Sequence, residues 1–204
     1  MSYVSGSGNF TGKQVPAPLP SHWTTSMNSQ FQFFNELDSD PWGAGAISTG
    51  PGNKAYRSTD PLTGLITTVL QIDLTGLAVK GDAAHDVIGL AAGGAAYIYR
   101  NVVADNGIIF KYEISCIKAP TQSHGTITQD IDFAWNSSAT IKYDGAAAAT
   151  VDTGTMVAGE TIVVSAGVVT ADHYLYVTEG DDAATTGVYS GGQFVFTLYG
   201  YPVR

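Results

Sequence analysis

Apolar and polar residues alternate with a period of two through much of the chain from about Leu65 onward, the pattern of half-buried strands. In VLQIDL, Leu70, Ile72 and Leu74 point one way while Gln71 and Asp73 point the other. GIIFKYEISCI is the clearest case. It predicts Ile108, Phe110, Tyr112, Ile114 and Cys116 on one face, with Lys111, Glu113 and Ser115 opposite. DIDFAW groups Ile131, Phe133 and Trp135 and turns Asp130 and Asp132 outward. QFVFTLYGY sets Phe194, Phe196 and Leu198 against Val195, Thr197 and Tyr199. AYIYRNV, ATIKYD, ETIVVSA and HYLYVTE are further strand candidates.

The breaks between these segments carry turn chemistry: Asp105-Asn106-Gly107, Asp144-Gly145, Gly180-Asp181-Asp182 and Gly191-Gly192. About eight or nine strands with no convincing amphipathic helix predict an all-β chain, an antiparallel sandwich. A jelly roll of two facing sheets is the favoured topology, with an immunoglobulin-like or barrel arrangement as the alternative. Short helices in AHDVIGLAAGG and GAAAATVDTG are weakened by their glycines and β-branched residues.

Residues 1–60 break the alternation and read as an extended N-terminal arm, leaving 61–204 as the sandwich domain. VPAPLP places three prolines within six residues, which favours extended backbone. Disordered segments are poor in aromatics, yet this stretch holds Trp23, Phe31, Phe33, Phe34 and Trp42. Those five side chains are the expected partner contacts of an arm that docks, either on its own body or on a neighbouring subunit.

Charge narrows the function classes. Only 13% of residues are charged and the formal net charge is −9. That fraction is about half the share of an ordinary soluble chain, which suits a surface buried in an assembly. No cluster of Lys and Arg is available to neutralise phosphates, so nucleic acid is not an expected ligand. Cys116 is the one cysteine and sits in an apolar alternation, so it is expected in the core. MSYVSGSGNF has neither a basic start nor an apolar run, so no signal peptide is expected. No stretch reaches the ~20 apolar residues of a membrane span.

The search for chemistry centres on HDVIGLAAGGAAYIYR. Gly89 and Gly94 have the first spacing of a phosphate-binding loop, but Ala95 and Ala96 stand where Lys and Ser or Thr are required. A strand at Asp86–Leu90, a tight Gly93-Gly94 turn and a strand through Tyr97–Arg100 account for the same letters. His85 and Asp86, as strand neighbours, point to opposite sides. His22, His85, His124 and His173 lack metal-ligand spacing, and no Gly-x-Ser-x-Gly elbow occurs. Asp130 with Asp132, and Glu36 with Asp38 and Asp40, are same-face carboxylates of the kind that hold calcium or, across a cleft, hydrolyse glycosides. Outward acids on strands are ordinarily solvated surface, as is the acidic turn at Glu179, Asp181 and Asp182. No metal, cofactor or catalytic residue is therefore expected.

One resemblance runs through the β body. DVIG, GGAAYIYR, NGIIFKYEISCIKAP, DIDF, YLYVTEGD and TTGVYSGGQFVFTLYGY follow one another from Asp86 to Tyr201. In order and spacing they resemble virion structural proteins of tailed bacteriophages, many of them marine. The resemblance implies a virion component without enzymatic activity, assembled in the host cytoplasm: a jelly-roll, capsid decoration-like protein. The major capsid protein and copies of itself, often as a homotrimer, would be its partners, with neither nucleic acid nor membrane. The arm lies outside the resemblance. A glycan- or receptor-binding module of a tail or fibre is the alternative, with Tyr97, Tyr99, Tyr174 and Tyr176 as stacking platforms. A carboxylate-based hydrolase ranks third.

Overall fold

The computed structural model describes residues 35–36, 54–80, 84–91, 93–125, 129–147, 151–165, 169–180 and 186–203. The chain divides into two compact units, Met1–Phe33 and Phe34–Arg204, and every described residue lies in the second.

The described residues are almost all β. The main sheet has the order β1 (Asn35–Glu36), β2 (Lys54–Thr59), β3 (Ile66–Asp73), β10 (Thr186–Tyr201), β6 (Ile108–Gly125), β8 (Thr161–Val164). A short β4 (Ala78–Lys80) also pairs with β10. The second sheet has the order β5 (Tyr99–Arg100), β9 (Tyr174–Glu179), β7 (Ile131–Asn136). Every strand pairing among the described residues is antiparallel. The sheet takes in Lys54–Thr59, which the sequence reading assigns to the arm.

The two sheets face one another across one apolar core. Leu70, Ile72, Phe194, Phe196, Leu198, Ile114 and Cys116 come from the main sheet, and Phe133, Trp135, Leu175 and Val177 from the second. Phe133 meets Phe194 and Phe196 edge-to-face at 5.9 and 5.3 Å, and Trp135 meets Phe196 at 6.2 Å. Such pairs add to the free energy of area burial. Cys116 is buried there as expected.

The second sheet is covered on its other face too. Val87, Ala96, Tyr97, Ala134, Ala147 and Tyr176 form a smaller core beneath the segments around 84–97 and 139–147. These segments hold on by isolated bridges: Asp86 to Ala146, Val87 to Thr178 and Ala95 to Lys142. The expected strand in ATIKYD is thus a single bridge followed by a turn at Tyr143–Asp144. The expected Gly93-Gly94 turn lies earlier: the hydrogen-bonded turn runs from Leu90 and closes at Gly93, whose N–H donates to the Leu90 carbonyl at 2.8 Å.

Two further expectations are corrected. Gly191-Gly192 is not a break between strands but lies inside β10, where the register to β6 slips repeatedly. Gly192 has φ 140°, and a Cβ there would press on Pro120 Cα of β6 at 3.2 Å. The glycine thus allows a kink where another residue would force the strands apart. At the other end of β6 the alternation inverts. Ile109 is buried, while Ile108 and Phe110 are exposed. The cause is a β-bulge: Tyr199 pairs with Lys111 and the next residue, Gly200, pairs with Ile109, leaving Phe110 as the extra residue.

Candidate functional site

The bulge builds an apolar surface at one end of the sandwich. Ile108 (49% exposed) pairs with Tyr201 (48%), and Phe110 (41%) stacks on the Tyr201 ring at 5.1 Å with planes 14° apart. The chain then runs through Pro202 to the exposed Val203. Beside it lies the turn at Asp60–Leu65, where a Cβ on Gly64 would sit 3.9 Å from the Pro202 ring. That turn is fixed by Asp60, whose Oδ1 accepts from the Leu62 N–H at 2.8 Å and whose carbonyl accepts from the Gly64 N–H. The Leu62 hydrogen bond holds the Asp60 carboxyl below its usual range. Leu62 itself projects into solvent. Contiguous exposed apolar side chains of this kind mark contact surfaces.

A second feature lies on the outer side of the second sheet. Asp130 and Asp132 are buried, not outward as the alternation suggested. The segments over the smaller core cover them. Asp132 stands opposite Thr178 in the β7–β9 register. Its Oδ1 accepts the Thr153 N–H at 2.8 Å, and its Oδ2 lies 3.8 Å from His85 Nδ1. Burial pushes the Asp132 carboxyl up to about 6; the Thr153 hydrogen bond opposes this, and the charges of Asp130 and Asp152 add to it. His85 is held at φ 63°, left-handed backbone that a non-glycine residue seldom adopts.

Asp86 and Glu179 are buried nearby, with the Glu179 N–H donating to the Asp86 carbonyl at 2.9 Å. Glu179 follows Thr178 and so points the other way, toward the main core. There burial pushes the Tyr189 phenol well up, and the Glu179 charge adds to it. Among the described residues no group of three His, Cys, Asp or Glu is placed to hold a metal ion.

His85 therefore meets Asp132 across the fold. His124 is exposed at the end of β6 and His173 is half-buried before β9; His22 lies outside the described residues. A pair such as His85–Asp132 leaves no spacing signal in sequence. Two-sided burial of β7 and β9 did leave one: Ala134 and Tyr176 occupy positions that simple alternation would make polar.

A groove of about 240 Å³ lies on the outer face of the main sheet, lined by Gln71, Asp73, Ile117, Gln193 and Val195 among others. None of the buried acids lines it. Tyr97, Tyr99 and Tyr176 are buried and Tyr174 is half-buried. Tyr97 packs edge-to-face on Tyr174 at 4.8 Å and on Tyr176 at 6.3 Å, while Tyr99 lies in the main core, so three of the four rings are closed to stacking by a sugar. The five aromatic arm residues, Trp23, Phe31, Phe33, Phe34 and Trp42, lie outside the described residues, as do Asp38, Asp40, Asp181 and Asp182. Among the described residues no helix is long and apolar enough to cross a membrane.

No family model and no curated protein matches this chain. Among solved structures it is similar to the cyanophage Pam1 capsid asymmetric unit, at 15% identity and a TM-score of 0.36, over 81% of this chain and 99% of that one.

Proposed function

We propose that this protein is a non-enzymatic structural component of a tailed-phage virion, a decoration protein seated on the head through its arm and through contacts of the sandwich. The observation that carries the reading is the apolar end of the sandwich. A bulge turns Phe110 and Ile108 out and Ile109 in. A free monomer gains nothing from that arrangement, whereas a protein repeating one contact over a lattice buries those side chains at every copy.

Three further points support it. The segments that resemble phage virion proteins contribute strands to both sheets. The low charged fraction suits a chain whose surface is largely covered. The strand order favours a jelly roll, because from β5 to β10 successive strands alternate between the second sheet and the main one. The proposed partners are the major capsid protein and further copies of this chain, as a trimer, with Trp23, Phe31, Phe33, Phe34 and Trp42 as the arm's contacts.

The test is reconstitution. Phage heads assembled without this chain are mixed with the full-length protein and with a variant lacking residues 1–50, then sedimented. The full chain is expected to co-sediment at fixed stoichiometry and the truncated chain to stay in the supernatant. Equal occupancy by both overturns the role of the arm, and failure of both overturns the decoration reading.

A further inference from the structure

The segment Ala84–Leu90 covers the second sheet without joining it as a regular strand. It is held by scattered backbone bonds: Val87 N–H to the Gly145 carbonyl (3.0 Å), Ile88 N–H to Val177 (2.9 Å), Glu179 N–H to Asp86 (2.9 Å) and Ala147 N–H to His85 (3.1 Å). A side-chain contact reinforces them, His85 Nδ1 to Asp132 Oδ2 at 3.8 Å. The side chain of His85 is 28% exposed and that of Asp132 is fully buried.

The charges around Asp132 are unbalanced. Asp130, just ahead of β7, and Asp152, after Val151, act on it as negative charges that raise its value, while His85 from the covering segment acts to lower it. Thr178, opposite on β9, brings only a hydroxyl. An ionised Asp132 must be desolvated beside like charges. A proton on the Asp132 carboxyl relieves this.

We propose that Asp132 and His85 form a proton-operated fastener, which holds the Ala84–Leu90 segment closed over the second sheet when it carries a proton and loosens when the proton leaves. The strained φ of His85 fits this role, because it persists only while the surroundings hold it.

The sign follows from linkage. Asp132 titrates near 6 in the closed form and returns to about 3.9 once the segment opens and water reaches it. The closed form thus holds a proton that the open form has released between these values. Closure is favoured most below about pH 4, and that advantage is lost as pH rises through about 6. For these two values the opening equilibrium rises roughly fourfold from pH 5.5 to 8, and roughly 25-fold from pH 4.5 to 8.

Amide hydrogen exchange on the full-length protein tests this. Protection of Val87, Ile88, Ala147 and Glu179, corrected for the intrinsic pH dependence of exchange, is expected to fall by those factors. Phe196 and Leu198, in the main sheet, serve as the reference and stay unchanged. In Asp132→Asn the four amides are expected to lose their pH dependence. Equal protection of the wild-type amides at pH 5.5 and 8, or a slope that survives in the variant, overturns the proposal. Should the variant fail to fold, the carboxyl carbon of Asp132 in the wild type is followed by NMR. A midpoint near 6 supports the fastener, and one near the ordinary 4 overturns it.

Discussion

The Tyr99 phenol donates to Asn106 Oδ1 at 2.7 Å, and the same oxygen accepts from Thr68 Oγ1 at 3.0 Å and Arg57 Nη2 at 3.4 Å. Asn106 passes the connection on, its Nδ2 donating to Asn101 Oδ1 at 3.2 Å, and Asn101 donates to the carbonyls of Val169 and Thr170. One buried amide therefore ties β2, β3 and β5 to the short helix α1 (Val103–Asn106) and to the loop before β9. Asn106→Ala strands several buried donors at once. It is expected to cost about 2–4 kcal/mol, read as a lower denaturant midpoint with an unchanged slope. Asn106→Asp keeps the acceptor and is expected to cost less at neutral pH.

Next to that hub, Gly107 closes the helix at φ 66°, and a Cβ there would collide with the Tyr201 carbonyl. Gly107→Ala combines an unfavourable backbone conformation with a clash against rigid main chain. A loss of more than about 2 kcal/mol is expected, and differential scanning calorimetry would show it as a lower Tm.

The apolar end of the sandwich should matter to association and not to folding. Phe110→Ser together with Tyr201→Ser is expected to change unfolding free energy by no more than about 1 kcal/mol, since both rings are largely outside the core. Binding to reconstituted heads should fall at least tenfold. Phe133→Ala, in the core, is the contrast, with an expected cost of about 3–5 kcal/mol. If head binding by the double variant is unchanged, this surface is not the contact.

Alkaline titration reports on the outer face of the main sheet. Tyr199 donates to Glu113 Oε2 at 2.9 Å, and Lys111 reaches Glu113 at 2.6 Å while lying 4.8 Å from the Tyr199 ring centroid. The Lys111 hydrogen bond, then the Tyr199 one, hold Glu113 below its usual range. Burial, then Glu113, push the Tyr199 phenol up to about 12. A phenol raised on folding stabilises the fold below its ordinary value near 10, and that contribution is lost as pH rises from 10 through 12. Spectrophotometric titration is expected to show Tyr199 and Tyr176 ionising near 12. Tyr199→Phe should remove one of those two late components.

The period-two pattern alone located β3, β7, β8, β9 and most of β6 and β10, because each has one face on the main core. It failed where tertiary structure changes the count. At Phe110 an inserted residue inverts the alternation, and nothing local in GIIFKY marks it. At Asp130 and Asp132 a third layer of chain covers the face that alternation leaves to water. The His85–Asp132 contact was invisible for the same reason: it joins a covering segment to a strand through the fold, not through spacing. Gly191-Gly192 carried a turn signature, yet the glycines serve a kink against Pro120 within one strand.

The position of β10 sets a condition on how this chain is made. The last strand in the sequence lies between β3 and β6 in the middle of the main sheet, paired along both of its sides. Until the ribosome releases Thr186–Tyr201, β3 and β6 have no partner between them and the largest apolar face has no centre. The sandwich therefore cannot close before β10 is available to both neighbours, and contacts so distant in sequence close slowly. A truncation ahead of Thr186 would remove the keystone of the sheet instead of trimming an edge.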